Sequence, residues 1–269
     1  MFRLLSWNVR GLNDSHKRDV IKSFLREWRC DLICLQETKL EVVSLSVIRS
    51  LWGNFSAGFD FLKAEGASGG IIVMWDKNIF NLVSSSQGEF SLTYFFHMVE
   101  DGFTWAFTGV YGPQARPDKL RFWKELQRIT DGWPGPWCIR GDFNEILYPH
   151  ERSSGSCPMN TMLEFHDFIN YSALVDVPMR GGEFTWSRSG GGAVCSRLDC
   201  FLVSLDWEEQ FPDSQGQSQI TSLLSWRVLS WIGGSLLLNL RTCGSESRGF
   251  LTSLKNGCRR KIFKAMPAM

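Results

Sequence analysis

The chain has 269 residues, 43% of them hydrophobic and 13% aromatic, enough apolar material for one large α/β domain or two small ones. Its formal net charge of +1 points to no polyanion partner by itself, but the average hides an asymmetry: Trp226–Met269 carries eight Lys/Arg and one acidic residue, Glu246, while residues 1–225 are net acidic. The apolar stretch of the N-terminus is too short for a signal peptide, no run approaches the ~18 apolar residues of a membrane span, and the eight cysteines include no CxxC pair, so free buried thiols of an intracellular protein are expected.

Residues 2–8, FRLLSWN, read as a buried strand ending at Asn8. Val20, Ile21, Phe24, Leu25 and Trp28 have helical spacing within HKRDVIKSFLREWR. CDLICLQE is a second apolar strand, and a second helix is expected in the forties. GFDFLKAEGASGG is either a DNA-facing loop or a hairpin, leading into the strand SGGIIVMW. FSLTYFFHMV and FTWAFTGVYG are adjacent strands joined by a turn at Glu100–Asp101–Gly102. PDKLRFWKELQRI reads as a helix with Pro117 near its start. PWCIRGDFNEI is a strand ending at Asp142, and NTMLEFHDFINYSAL an amphipathic helix. GEFTWSR and SRLDCFLVS are short strands around a Gly/Ser turn, and SLDWEEQF is a short helix capped by Ser204 or Asp206. Strands alternate with helices, but several consecutive strands form hairpins. That mixture predicts an α+β fold with mixed sheets stacked face to face and helices outside, rather than a doubly wound parallel sheet.

Asn8, Glu37, Tyr111, Asp142, Asn144 and Asp199 each lie at or just beyond an end of an apolar strand. Carboxylates and an amide oxygen are hard donors suited to Mg²⁺ or Mn²⁺ rather than zinc. A carboxylate beside an amide can orient a water for in-line attack on phosphorus, while a Tyr hydroxyl and an Asn amide can donate to phosphate oxygens as charge builds there. Each residue taken singly is equally explained as a turn or cap residue. The four histidines, His16, His97, His150 and His166, are read as surface or satisfied residues, and most tryptophans as core.

The segments LLSWNVRGLN, DLICLQETKL, GGIIVMWD, VYGP, WCIRGDFNEIL, GGEFTWSR, SRLDCFLVS and DWEEQFP occur in one order over about residues 1–225. Together they resemble the endonuclease/exonuclease/phosphatase superfamily, and in particular the endonuclease domain of plant LINE-type non-LTR retrotransposons. The resemblance implies a deoxyribonuclease-like four-layer α/β sandwich of two stacked mixed sheets. It implies Mg²⁺ (or Mn²⁺) held by Glu37 with support from Asn8, and Asp142 as the group that orients or deprotonates the attacking water. Asn144 would position that water and a phosphate oxygen, Tyr111 would contact phosphate, and Asp199 would orient a catalytic His. Arg10 stands where many repair-type members have Asp, and would contact phosphate. The implied partner is DNA, with no membrane, a monomeric state and a nuclear setting.

The family pattern closes with Ser-Asp-His before a last apolar strand. Here Ser225 is followed directly by Trp226, and the last histidine of the chain is His166. Residues 1–225 are therefore expected to form the domain without its final Asp-His strand, and 226–269 to be an aberrant, poorly ordered basic tail, either translated out of frame from decayed element sequence or a mispredicted exon. Whether such a chain still cuts stays open. The alternatives are a non-catalytic remnant, a nucleic-acid binder acting through KNGCRRKIFK, or a phosphatase of small phosphoesters.

Overall fold

The computed structural model describes residues 2–66, 68–154, 159–180, 183–188, 194–212, 215–218 and 235–239. In chain order the elements are β1 Arg3–Asn8, α1 Ser15–Trp28, β2 Leu32–Gln36, α2 Leu45–Leu51, β3 Ala57–Glu65, β4 Ser68–Asp76, β5 Phe80–Gln87, β6 Ser91–Met98 and β7 Thr104–Tyr111. They continue with α3 Arg116–Gly132, β8 Trp137–Asp142, a 3₁₀ turn Pro149–Glu151, α4 Met159–Tyr171, β9 Leu174–Asp176, β10 Met179–Arg180, β11 Trp186–Arg188, β12 Val194–Ser196, β13 Asp199–Ser204, α5 Leu205–Gln210, β14 Gln215–Ser218 and β15 Ser235–Asn239.

One sheet has the strand order β10-β14-β15-β1-β2-β4-β3 and the other β5-β6-β7-β8-β13-β9. Both are mixed, because β1 runs parallel to β2 and β7 parallel to β8 amid antiparallel neighbours. Strand periodicity explains the stacking. In β2, Leu32 and Cys34 face the other sheet, whereas Ile33 and Leu35 face outward under α1 and α2. In β8, Cys138 faces inward and Trp137 and Ile139 lie under α3 and α4. Strands apolar on both faces must be covered on both, and the result is helices, sheet, sheet, helices. This is the expected four-layer sandwich.

The helices follow local rules. The Asp14 carboxylate caps α1 by accepting from the His16 N–H at 2.9 Å, and Ile21, Phe24, Leu25 and Trp28 bury one face. Pro117 sits in the first turn of α3, where its missing N–H costs nothing. Among the described residues, no helix is long and apolar enough to cross a membrane.

Three sequence expectations are refined. GFDFLKAEGASGG is a hairpin limb, since β3 pairs antiparallel with β4. SRLDCFLVS is two strands rather than one: β12 pairs with β11, and β13 pairs with β8 and β9. The break falls at Arg197, whose guanidinium bridges Glu151 and Asp176 at 2.6 Å each. β5 was not expected; it is an edge strand whose side chains from Asn81 to Gln87 are exposed, so it lacks the apolar alternation that reveals a strand. Of segment 226–269 the structure describes Ser235–Asn239, which pairs with β1; the junction after Ser225 and the rest of that segment lie outside the described residues.

Candidate active site

The candidate residues meet because of strand direction. Asn8, Tyr111 and Asp142 are the last residues of β1, β7 and β8, and Glu37 directly follows β2. β13 runs antiparallel to β8, so its first residue, Asp199, stands in register with Asp142. Tyr111 registers with Asp142 from the other side. The two sheets are joined here by a side-chain bond: Asn8 Nδ2 donates to Asp142 Oδ2 at 2.8 Å, with both residues buried.

Each turn after a strand is then fixed by backbone contacts. Asn8 Oδ1 accepts from the Arg10 N–H at 3.2 Å, and Asp142 Oδ1 accepts from the Asn144 N–H at 2.8 Å. Asn144 Nδ2 donates to the Gly112 carbonyl at 2.6 Å, and the Gly112 N–H donates to the Asp142 carbonyl at 2.6 Å. A Cβ on Gly112 would lie 2.3 Å from the Phe143 carbonyl oxygen, so only glycine allows this approach. Arg10, Glu37 and Asn144 all have positive φ, at 50°, 52° and 50°. Left-handed backbone at a non-glycine residue costs roughly 1–2 kcal/mol, and such strain gathers at functional positions.

Electrostatics separate the roles. Burial raises the Asp142 pKa, and the neighbouring Asp199 carboxylate raises it further, against the Asn144 N–H and the Asn8 amide. Burial also raises Asp199, opposed by the Thr185 hydroxyl and the Arg140 guanidinium. Two buried carboxylates in register thus hold a proton more readily than free ones. Burial, with Glu37 and Asp142 adding to it, pushes the Tyr111 phenol up, so it stays a neutral donor. On the other side, Glu37 pairs with Lys39 at 3.1 Å, and Lys17 donates to the Arg10 carbonyl at 3.2 Å.

Among the described residues, no group of three or more His, Cys, Asp or Glu is placed to hold a metal. Glu37 and the Asn8 side-chain oxygen are hard oxygen donors, and would be the ligands of a divalent ion such as Mg²⁺ or Mn²⁺ at this site.

All seven candidate residues therefore fall in one region. The four histidines do not: His16 and His150 are exposed, His97 bonds Thr104 at 3.0 Å, and His166 bonds Asn170 at 2.9 Å. Three supporting groups went unread in the sequence. Lys17 reaches the site from α1, where nothing distinguishes it from a solvated lysine. Lys119 on α3 donates to the Asn144 carbonyl at 2.8 Å and ion-pairs with buried Glu145. Thr185 sits within GGEFTWSR, where nothing in the sequence marks it; its hydroxyl accepts from the Leu198 and Asp199 N–H groups at 3.0 and 3.1 Å.

A similar architecture occurs in solved structures. The AP endonuclease LMAP of Leishmania major superposes with a TM-score of 0.68 at 16% identity, over 88% of this chain and 86% of that one. The endonuclease domain of TRAS1, a telomere-specific non-LTR retrotransposon, gives 0.64 at 11% identity, over 91% of this chain and 100% of that one. A mannosyl-6-phosphatase of Bacteroides thetaiotaomicron gives 0.57 at 14% identity, over 89% and 99%. At these identities the likeness is one of fold. No curated protein matches the sequence. Residues 5–221 match the endonuclease/exonuclease/phosphatase family, which spans most of the described elements and every candidate site residue. On that match and this architecture, the chain belongs to the endonuclease/exonuclease/phosphatase family.

Proposed function

We propose that the chain is a metal-dependent phosphodiesterase domain of retrotransposon endonuclease type whose substrate is DNA. The observation that carries this reading is the bond between Asn8 and Asp142. It joins the end of β1 to the end of β8, whose Asp142 stands in register with Tyr111 on one side and Asp199 on the other, and this supports reading Glu37, Tyr111, Asn144 and Asp199 as one site. Asp142 orients the attacking water, Asn144 positions it, and the Tyr111 phenol and Arg10 donate to the phosphate oxygens. Mg²⁺ bound at Glu37 and Asn8 would supply positive charge to the developing phosphorane. The AP endonuclease and retrotransposon endonuclease folds support DNA as the substrate.

The catalytic set is incomplete in this reading. Asp199 has no histidine to orient, because Trp226 follows Ser225 where Asp-His would stand. Loss of one preorganised transition-state donor costs about 10²–10³ in rate, so cutting is impaired. The absence of any histidine at the site favours a second reading, a domain of retroelement origin that binds nucleic acid without cutting it, with residues 226–269 as a basic appendage to the 1–225 domain. Supercoiled-plasmid nicking in Mg²⁺, with Glu37→Ala as control, separates the two. Slow nicking above the control supports the enzyme; nicking equal to the control refutes it.

A further inference from the structure

The two sheets end at the site in the same way. Asn8 closes β1 and its Oδ1 accepts from the Arg10 N–H at 3.2 Å; Asp142 closes β8 and its Oδ1 accepts from the Asn144 N–H at 2.8 Å. In both turns the residue two beyond the strand is left-handed, with φ 50°. In both, the carbonyl of that residue accepts from a lysine in the first turn of a covering helix: Lys17 of α1 to Arg10 at 3.2 Å, and Lys119 of α3 to Asn144 at 2.8 Å. The two lysines are only 9% and 6% exposed. A buried ammonium has given up its water and needs a firm acceptor in return. Lys119 meets the Glu145 carboxylate as well. Lys22, also on α1, donates to the Arg49 carbonyl at 3.0 Å, but it is exposed and its acceptor lies within α2. Left-handed Arg29 and Ala173 stand just past α1 and α4, where that conformation is ordinary. At Arg10 and Asn144 it has to be held. Bonds to the N–H before a Cα and to the C=O after it fix both peptide planes, and with them the direction in which the side chain leaves the backbone.

We propose that Lys17 and Lys119 are a matched pair of positioning residues, one per sheet, that pin the left-handed backbone from which Arg10 and Asn144 reach the phosphate. The inference rests on the reading of the site as a phosphodiesterase. Neither lysine touches substrate; each acts through the residue whose carbonyl it holds.

The test compares Lys17→Met with Lys119→Met, the latter made together with Glu145→Gln so that no buried carboxylate is left unpaired. NMR of the full chain reads φ at Arg10 and Asn144 from their ¹³Cα shifts and ³J couplings. Lys17→Met should move Arg10 out of the left-handed range and leave Asn144 in it, and the Lys119 variant should do the reverse. Lys17→Arg and Lys119→Arg, which keep a donor, should retain both. Plasmid nicking in Mg²⁺ should fall about tenfold or more in each methionine variant, since a displacement of about 1 Å can cost about 10² in rate. Lys22→Met should match the parent in both readouts. Left-handed signals that persist in both methionine variants, or nicking at the parental rate in them, would overturn the proposal. A second measurement needs no variant and decides the matter should a methionine variant not fold: in the parent, a coupling across the hydrogen bond should link each lysine Nζ to the carbonyl carbon of its partner, and its absence would also overturn the proposal. If the parent nicks no faster than Glu37→Ala, the phosphodiesterase reading falls and the positioning role with it, while the NMR signals still show whether the two clamps exist.

Discussion

Asn8 and Asp142, 134 residues apart, are joined by a 2.8 Å hydrogen bond that bridges the two sheets. The bond uses the Asn8 nitrogen, which leaves Asn8 Oδ1 facing the Arg10 N–H and the Glu37 side of the site. It also lowers the cost of keeping Asp142 charged inside the protein. Asn8→Ala would leave a buried carboxylate short of a donor, at about 2–3 kcal/mol. Urea unfolding should show that loss. Asn8→Asp should be worse, because it places a third carboxylate beside Asp142 and Asp199. Equal stability of the parent and the alanine variant would show that the bridge does not hold the sheets together.

Asp142 and Asp199 predict an inverted pH dependence of stability. Burial raises both above the ordinary carboxylate value of 3.8. The folded state therefore binds more protons than the unfolded chain from about pH 4 upward. Stability is full below the unfolded value and is lost as pH rises through the raised values. Asp199→Asn removes one of the opposed charges and keeps the shape that Thr185 meets. Without added metal, it should raise the melting temperature at pH 8 by about 3–6 °C, corresponding to about 1–2 kcal/mol, and much less at pH 5. A variant that melts lower than the parent at pH 8 would refute the charge conflict. Nicking should fall in the same variant, a trade of stability against activity found at many sites.

Most of this site was legible because its residues occupy a position that sequence can reveal. Asn8, Asp142 and Asp199 are polar residues at the ends of apolar runs, and the apolar runs are strands whatever their neighbours. Glu37 follows the end of β2 directly, and Arg10 and Asn144 stand two residues beyond the ends of β1 and β8. What could not be read was lateral. Lys119 and Glu145 form a buried ion pair between a helix and a loop, and neither residue's own neighbours in sequence imply the other. Thr185 reaches Asp199 from GEFTWSR, which reads as a short strand with nothing in it that names its partner. β5 was invisible because an edge strand needs no buried face. The division of the chain at Ser225 came from a resemblance that stops there.

Glu37 should govern metal-linked stability. It directly follows β2, the strand beside β1 and Asn8, and Lys39 holds its carboxylate at 3.1 Å. A cation at a hundredfold excess over its dissociation constant stabilises the folded state by about 2.7 kcal/mol. Mn²⁺ titrated into the parent should raise the melting temperature accordingly, and removal by EDTA should reverse it. Glu37→Gln should abolish the shift while keeping the fold, since Gln retains the length and one acceptor. An undiminished shift in Glu37→Gln would place the metal elsewhere.

Arg140 is the least expected charge in the molecule. It lies fully buried between the sheets, with its guanidinium 4.5 Å from the Phe201 ring centre. All three of its guanidinium nitrogens lack a hydrogen-bond partner among the described residues. Burial lowers its pKa to about 10, against the pull of Cys138, Asp199, Cys34 and Cys200, so it remains charged at neutral pH. The ring contact returns about 2 kcal/mol when desolvated, and Asp199 adds attraction at longer range. The cost of a buried guanidinium without acceptors is several kcal/mol, which exceeds those returns. Arg140→Met, similar in volume and apolar, should therefore stabilise the fold by about 1–3 kcal/mol in urea unfolding at pH 7. The same change removes a cation that draws Asp199 down, so Asp199 should hold its proton to higher pH. Carboxylate titration followed by ¹³C NMR would register that rise. A variant less stable than the parent would show that the attraction to Phe201 and Asp199 outweighs desolvation, and that Arg140 is a strut beneath the site rather than a burden on the core.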